Sequence, residues 1–160
     1  MPIRPSTPAD HEAIWAILEP VFSAGESYAI DPDISREDAL DYWLGTDRES
    51  FVFEQDGAVL GTYYLRTNAG GGGSHVCNCG YITSPAAAGR GIARRMCLHS
   101  LDHARARGYR AMQFNFVVAT NTRAIDLWQT LGFATVGTLP GAFNHPRHGM
   151  VDALVMYQSL

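Results

Sequence analysis

The stretch ITSPAAAGRGIARRM, running from Ile82 to Met96, leaves an apolar run, crosses a proline and three alanines, and sets two glycines around an arginine where a helical pattern begins. Glycine opens a helix poorly unless the backbone must take up a left-handed turn or approach something closely. N–H groups at a helix start lack intrahelical partners and lie at the positive end of the helix dipole, so this turn suits a diphosphate. It matches neither of the two familiar phosphate motifs. The third glycine of G-x-G-x-x-G would fall at Arg94, and no Gly-Lys-Ser/Thr follows.

Working outward, His75 to Thr83 reads as a strand entering the turn. Gly91 to Arg107 reads as a helix closed by Gly108, and Ala111 to Ala119 as a second strong strand. Strand, helix and strand in that order predict a right-handed parallel crossover. Upstream, Ile14, Ile17, Leu18, Val21 and Phe22 form one helical stripe ended by Gly25, and Ser35 with Asp38 starts a second, short helix. Phe51–Glu54 and Ala58–Leu65 read as strands around Gln55-Asp56-Gly57, a hairpin signal. Downstream, Thr122–Leu131 is a helix closed by Gly132, and Ala134–Leu139 and Val151–Tyr157 are strands separated by a loop, Pro140–His148. With a short strand at the start, the order predicts one α+β domain over residues 1–160 and a largely antiparallel sheet.

Composition narrows the function. A chain of 160 residues, 46% hydrophobic and 18% charged, can bury a sizeable core. Its net charge of -4 gives no general attraction to nucleic acid or an anionic membrane. No apolar run approaches the ~20 residues of a membrane span, and Met1-Pro2-Ile3-Arg4-Pro5 has no signal-peptide pattern. A cytoplasmic protein is expected. Cys77, Cys79 and Cys97 are too few and wrongly spaced for a zinc site, so they are expected as small apolar fillers in a reduced setting, with no metal.

Two segments carry a resemblance. Ala88-Gly89-Arg90-Gly91-Ile92-Ala93 resembles the Arg/Gln-x-x-Gly-x-Gly/Ala turn of the GCN5-related N-acetyltransferase (GNAT) family, with Ala88 in place of Arg or Gln. Thr120 to Phe133 resembles that family's Asn-x-x-Ala-x-x-Leu-Tyr-x-x-x-Gly-Phe. The likeness covers nearly the whole chain. It implies a three-layer α/β/α fold with a mixed, mostly antiparallel seven-stranded sheet and a central parallel V-shaped splay. It also implies acetyl-CoA as cosubstrate, its pyrophosphate held by N–H groups of residues 88–93.

By the same resemblance the main chain of Tyr81, Ile82 and Thr83 pairs with the pantetheine arm. The Ile82 N–H is expected to polarise the thioester oxygen, and such a donor contributes ~3 kcal/mol. Asn121 matches a cofactor contact and is also a good helix N-cap. Trp128 borders the cofactor where the family usually has a tyrosine acid, and an indole cannot supply a proton near neutral pH. The family's usual glutamate base is absent from Val76–Tyr81, leaving His75, His145, Asp152 or a water relay.

Asn78 and Asn115 interrupt apolar strands. A buried carboxamide left unpaired costs ~1–3 kcal/mol, so the pair either bridges strands or lines the V and orients the acceptor. The second reading fits a subgroup that includes fungal acetyltransferases acting on proline analogues, where the matching amides hold a small amino-acid substrate. Glu26, Tyr28, His145 and the Pro140–His148 loop border the acceptor pocket by family position. The expected partner is a small-molecule amine. Acetylation of a protein N-terminus or lysine, or acetyl-CoA binding without catalysis, is the alternative. Homodimers are common in that family, though no residue here marks an interface.

Overall fold

The computed structural model describes residues 2–160. The chain runs β1 (Ile3–Pro5), α1 (His11–Ala24), α2 (Arg36–Trp43), β2 (Arg48–Gln55), β3 (Ala58–Thr67), β4 (Val76–Thr83), α3 (Ile92–Ala106), β5 (Ala111–Val118), α4 (Thr122–Thr130), β6 (Ala134–His145) and β7 (Gly149–Ser159). The seven strands form one sheet in the order β1-β2-β3-β4-β5-β7-β6. Only β4 and β5 are parallel neighbours. The α+β architecture with one parallel crossover follows the sequence expectation element by element.

Local chemistry explains the elements. Ser35 Oγ accepts the Asp38 N–H at 3.1 Å and starts α2. The β2–β3 hairpin turns through Asp56 and Gly57, both at positive φ, as an Asp-Gly turn requires. Strand alternation then sorts side chains onto two cores. Val52, Tyr64 and Ile82 face α1 and α2, packing with Ile14, Leu18, Phe22 and Trp43. Phe53, Tyr63, Leu65, Cys77, Cys79 and Met112 face the opposite way, against Met96 and Leu101 of α3 and Trp128 of α4. All three cysteines are buried and unpaired, as fillers should be. Trp43 is fully buried, which stabilises the fold by ~2–3 kcal/mol, and its indole N–H donates to Thr62 Oγ1 at 2.9 Å.

One sequence expectation is corrected. The loop expected over Pro140–His148 shrinks to a turn at Pro146–His148, because β6 continues through Pro140 to His145. Proline cannot donate to a ladder, but β6 is the sheet's edge strand, and a register shift falls between Leu139 and Phe143. Edge strands and bulges are where a sheet tolerates proline.

The central splay has a visible origin. β4 and β5 are in register only at Val76↔Ala111 and Cys77↔Met112, and then separate. Opposite β7, β5 has a register shift between Phe114 and Val117. A bulge bends the strand that carries it, and this one lies just past the point where β5 parts from β4. No helix among the described residues is long and apolar enough to cross a membrane.

Candidate active site

The V between β4 and β5 opens a cavity of about 380 Å³, lined by Tyr28, Tyr64, Arg66, Asn78, Asn115 and Trp128 among others. At its narrow end, Asn78 Nδ2 donates to the Gln113 carbonyl at 2.9 Å. Asn78 and Gln113 each lie one residue beyond the last paired positions, so a side-chain amide closes the ladder where the backbones part. Asn78 Oδ1 accepts the Tyr64 hydroxyl at 3.5 Å. Asn115 lies on the same cavity but does not bond Asn78. Its Oδ1 accepts Gln113 Nε2 at 2.9 Å, and its Nδ2 donates to Asn68 Oδ1 at 2.7 Å.

Register fixes which main-chain groups of β4 face the cavity. Asn68 N–H donates to Val76 O at one end of the β3–β4 ladder, and Ser84 N–H to Leu60 O at the other. The ladder between has no shift. In an antiparallel pair, directly opposed residues alternate between exchanging both bonds and exchanging none. Asn78, Gly80 and Ile82 therefore bond β3, while Cys79, Tyr81 and Thr83 turn their N–H and C=O groups toward β5. This corrects the assignment of Ile82, whose N–H is used by Thr62 across the ladder. Tyr81 and Thr83 keep the cavity-facing main chain expected of them. The Tyr28 hydroxyl donates to the Tyr81 carbonyl at 3.0 Å, tying the segment after α1 over the slot.

Beyond Thr83 the chain reaches the glycine turn. Gly89 and Gly91 have φ of +79° and +75°. The first α3 bond runs from Arg95 N–H to Gly91 O. The N–H groups of Gly89, Arg90, Gly91, Ile92, Ala93 and Arg94 find no protein acceptor among the described residues. Ala88 N–H is not free, since it donates to Pro85 O. Six consecutive unpaired donors leading into a helix start are an arrangement suited to an anion, a candidate cradle.

At the other flank, Asn121 Oδ1 caps α4 by accepting Ala124 N–H at 3.4 Å, and the residue lines the cavity. Trp128 packs on Tyr81 and Phe114 at ring distances of 5.1 and 5.2 Å. A smaller, polar cleft adjoins the first, lined by Glu26, Ser27, Thr120, Asn121, His145, Arg147 and His148. Glu26 pairs with Arg147 at 3.1 Å. His145 Nδ1 accepts the Arg147 N–H at 3.1 Å, which leaves Nε2 as the ring nitrogen free to donate. The other two base candidates line neither cavity. His75 precedes β4, and Asp152 Oδ1 is bonded to Gly141 N–H at 2.9 Å.

No Asp, Glu or His lines the larger cavity among the described residues. Burial pushes the Tyr28 and Tyr64 phenols above their ordinary range, so both stay protonated. No cluster of three or more metal-ligating side chains occurs among the described residues. Tyr42, Tyr64 and Arg66 line the cavity but escaped the sequence reading. Arg66 lay one residue beyond the expected end of its strand, and extending β3 to Thr67 brings it opposite Asn78.

Comparison with known proteins agrees with this geometry. The chain is 30% identical over 148 residues to N-acetyltransferase aca1 of Schizosaccharomyces pombe, covering 82% of this chain and 71% of that one. A GCN5-related N-acetyltransferase from Kribbella flavida superposes with a TM-score of 0.94 at 42% identity, over 99% of this chain and 96% of the other. The fold is also that of yncA from Salmonella typhimurium, an acetyltransferase structure with its cofactor acetyl-CoA, at a TM-score of 0.83, 23% identity and coverage of 99% and 92%. Residues 11–133 match the acetyltransferase (GNAT) family, and the match takes in both the splayed strands and the anion cradle: the chain belongs to that family.

Proposed function

We propose that this chain, as a single domain over residues 1–160, transfers an acetyl group from acetyl-CoA directly to the amine of a small-molecule acceptor. When bound, acetyl-CoA supplies an activated thioester carbonyl, and every other requirement falls to the protein. The free N–H groups from Gly89 to Arg94 are the donors for a diphosphate. The Tyr81 N–H and the main chain of Thr83 offer the pantetheine arm an open strand edge, the Tyr81 carbonyl already accepting the Tyr28 hydroxyl. Tyr81 N–H, rather than that of Ile82, is the donor for charge developing on the thioester oxygen, a contribution of ~3 kcal/mol. Asn121 and the Trp128 indole border the same path.

The acceptor lies on the Asn78 side of the slot. Each amide has committed one N–H or one lone pair at each end to protein. The second N–H and second lone pair of Asn78 and Asn115 orient the acceptor. Glu26, Tyr28 and His145 form the rim, His145 as a hydrogen-bond donor. Without an acid or base in the larger cavity, the amine would attack as the neutral species, the C–S bond would break to release CoA as its thiolate, and water would take the amine's proton and return one to the thiolate.

The observation that carries a small acceptor is the Tyr28–Tyr81 bond, which draws Ser27–Ile30 over a cavity of about 380 Å³. The cytoplasm is the proposed compartment and a homodimer the proposed assembly. A panel of amines, amino acids and short peptides, followed by free-thiol release and product mass, tests the reading. Small amines are expected to yield one thiol per acetylated product. Acetylation confined to peptides would overturn it.

A further inference from the structure

Among the described residues lining the larger cavity, Arg66 alone carries a formal charge, in a chain whose net charge is -4. It sits at the narrow end of the V. On β3 it is directly opposite Asn78 of β4 on one side and Arg48 of β2 on the other. The diphosphate cradle begins beyond Thr83, at least five residues further along β4, about 17 Å of extended strand. Arg66 is therefore not a cradle cation.

Its charge is not balanced locally. The nearby carboxylate, Asp47, is taken by Arg48, whose Nε and Nη2 lie 2.9 and 3.4 Å from its two oxygens. These guanidiniums hold the Asp47 carboxyl below its ordinary range, Arg48 foremost. Arg48 is fixed in place, its side chain 8% exposed and its guanidinium 5.2 and 4.8 Å from the Tyr42 and Tyr64 ring centres. Arg66 reaches Asp47 only with Nε, at 3.9 Å, and the same Nε donates to Thr67 O at 3.4 Å. Two cations share one anion. Both terminal nitrogens of Arg66 lack a protein partner among the described residues, and the side chain is 34% exposed. A planar guanidinium fork with both terminal nitrogens free is the shape that binds a compact oxyanion in two places.

We propose that the acceptor carries, besides its amine, a compact anionic group such as a carboxylate or phosphonate, and that Arg66 is the residue that selects for it. This deepens, and rests on, the reading of the chain as a small-amine acetyltransferase. Nothing in the cavity rewards a cationic group beyond the amine, since no carboxylate lines it.

The test uses acceptors with the same carbon skeleton that differ in the anion, namely amino acids, their carboxamides and the corresponding aminophosphonates, with rates expressed per neutral amine because the anion also shifts the amine's basicity. Wild type, Arg66→Gln and Arg66→Lys are compared by kcat/KM from thiol release, and acetyl-CoA affinity is measured by calorimetry. For wild type, the anionic member of each pair is expected to exceed its carboxamide by about 10- to 100-fold, the worth of a charge-assisted hydrogen bond. In Arg66→Gln that ratio falls toward one. In Arg66→Lys, which keeps the charge but not the fork, part of it survives. Acetyl-CoA affinity stays the same in all three. Carboxylate and phosphonate arms separately report which oxyanion fits. A wild-type preference for carboxamides, or a ratio unchanged in Arg66→Gln, overturns the assignment while leaving the acetyltransferase reading intact. If wild type binds acetyl-CoA yet acetylates no member of any arm, the small-acceptor reading fails, and the role of Arg66 fails with it.

Discussion

Replacing Gly91 with alanine separates backbone strain from loss of the anion cradle, because Gly57 provides a matched control. Gly91 has φ +75° and Gly57 has φ +79°, and a Cβ built at either meets no atom within 4 Å. Neither substitution creates a clash, so each costs only the left-handed backbone penalty, ~1–2 kcal/mol. The two sites differ in what surrounds them. Gly57 turns an isolated hairpin, whereas Gly91 stands amid six unpaired N–H groups. A methyl group there occupies space that phosphate oxygens need in order to come within ~2.9 Å of those donors. Relaxing φ instead would rotate the donors away. Either response is expected to raise the acetyl-CoA dissociation constant at least ~10-fold, about 1.4 kcal/mol. Urea melts would show equal stability losses for the two variants, and calorimetry would show weakened acetyl-CoA binding only for Gly91→Ala. Equal binding by both variants would refute the assignment of the diphosphate to this turn.

Asn78→Asp removes the donor to the Gln113 carbonyl and sets an anion against it. It should cost ~1–3 kcal/mol in a denaturant melt and lower kcat/KM for the amine at least ~10-fold, while acetyl-CoA affinity moves less than about threefold; unchanged stability would mean the ladder does not need this amide. Trp128→Phe should retain turnover within ~10-fold, since the indole packs against Tyr81 and Phe114 and supplies no proton; a loss near ~10³-fold without unfolding would assign its N–H to catalysis. The Arg4 guanidinium holds the Asp10 carboxyl at about 2, below its ordinary 3.8. A depressed carboxyl stabilises the fold fully above its unfolded pKa, so this contribution, ~1 kcal/mol after allowing for solvent screening at Arg4, is lost as pH falls from about 4 to about 2. Acid titration of the melting temperature should therefore fall less steeply in Asp10→Asn.

The crossover and the element order were legible because they are written in local signals. Gly25, Gly108 and Gly132 follow helical stripes, and Asp56-Gly57 separates two apolar strands. Features set by pairing were not legible. Pro140 suggested a break, and only the edge position of β6 lets the strand run on through it. Ile82 and Tyr81 are equivalent in sequence as backbone donors. Their difference appears once Ser84 N–H is seen to bond Leu60 O, which fixes the parity of the whole ladder. Arg66 reads as an ordinary strand-end cation until Asp47 is found committed to Arg48. His75, His145 and Asp152 were equal candidates as bases because nothing in their spacing tells a cavity wall from a turn.

The parity of β4 also gives the strand two separate faces for the two halves of the proposed transfer. At odd positions, Cys79, Tyr81 and Thr83, the main chain faces the V while Cys79 and Tyr81 send their side chains into the α3 core. At even positions, Asn78, Gly80 and Ile82, the main chain is bonded to β3, and the side-chain positions face α1 and α2, where Tyr64 and Arg66 lie across the ladder. Under the proposed function, the groups that meet the thioester are backbone and indifferent to side-chain change, whereas those that meet the acceptor are side chains and free to vary. Gly80 sits where the two halves touch. A Cβ there would come 2.5 Å from the Tyr64 ring, so glycine at this position leaves that ring its place across the ladder. Substitutions on the side-chain face of β4, at Asn78 for example, are therefore expected to alter acceptor choice while leaving acetyl-CoA affinity unchanged, and a matched loss of both would refute this division of the strand.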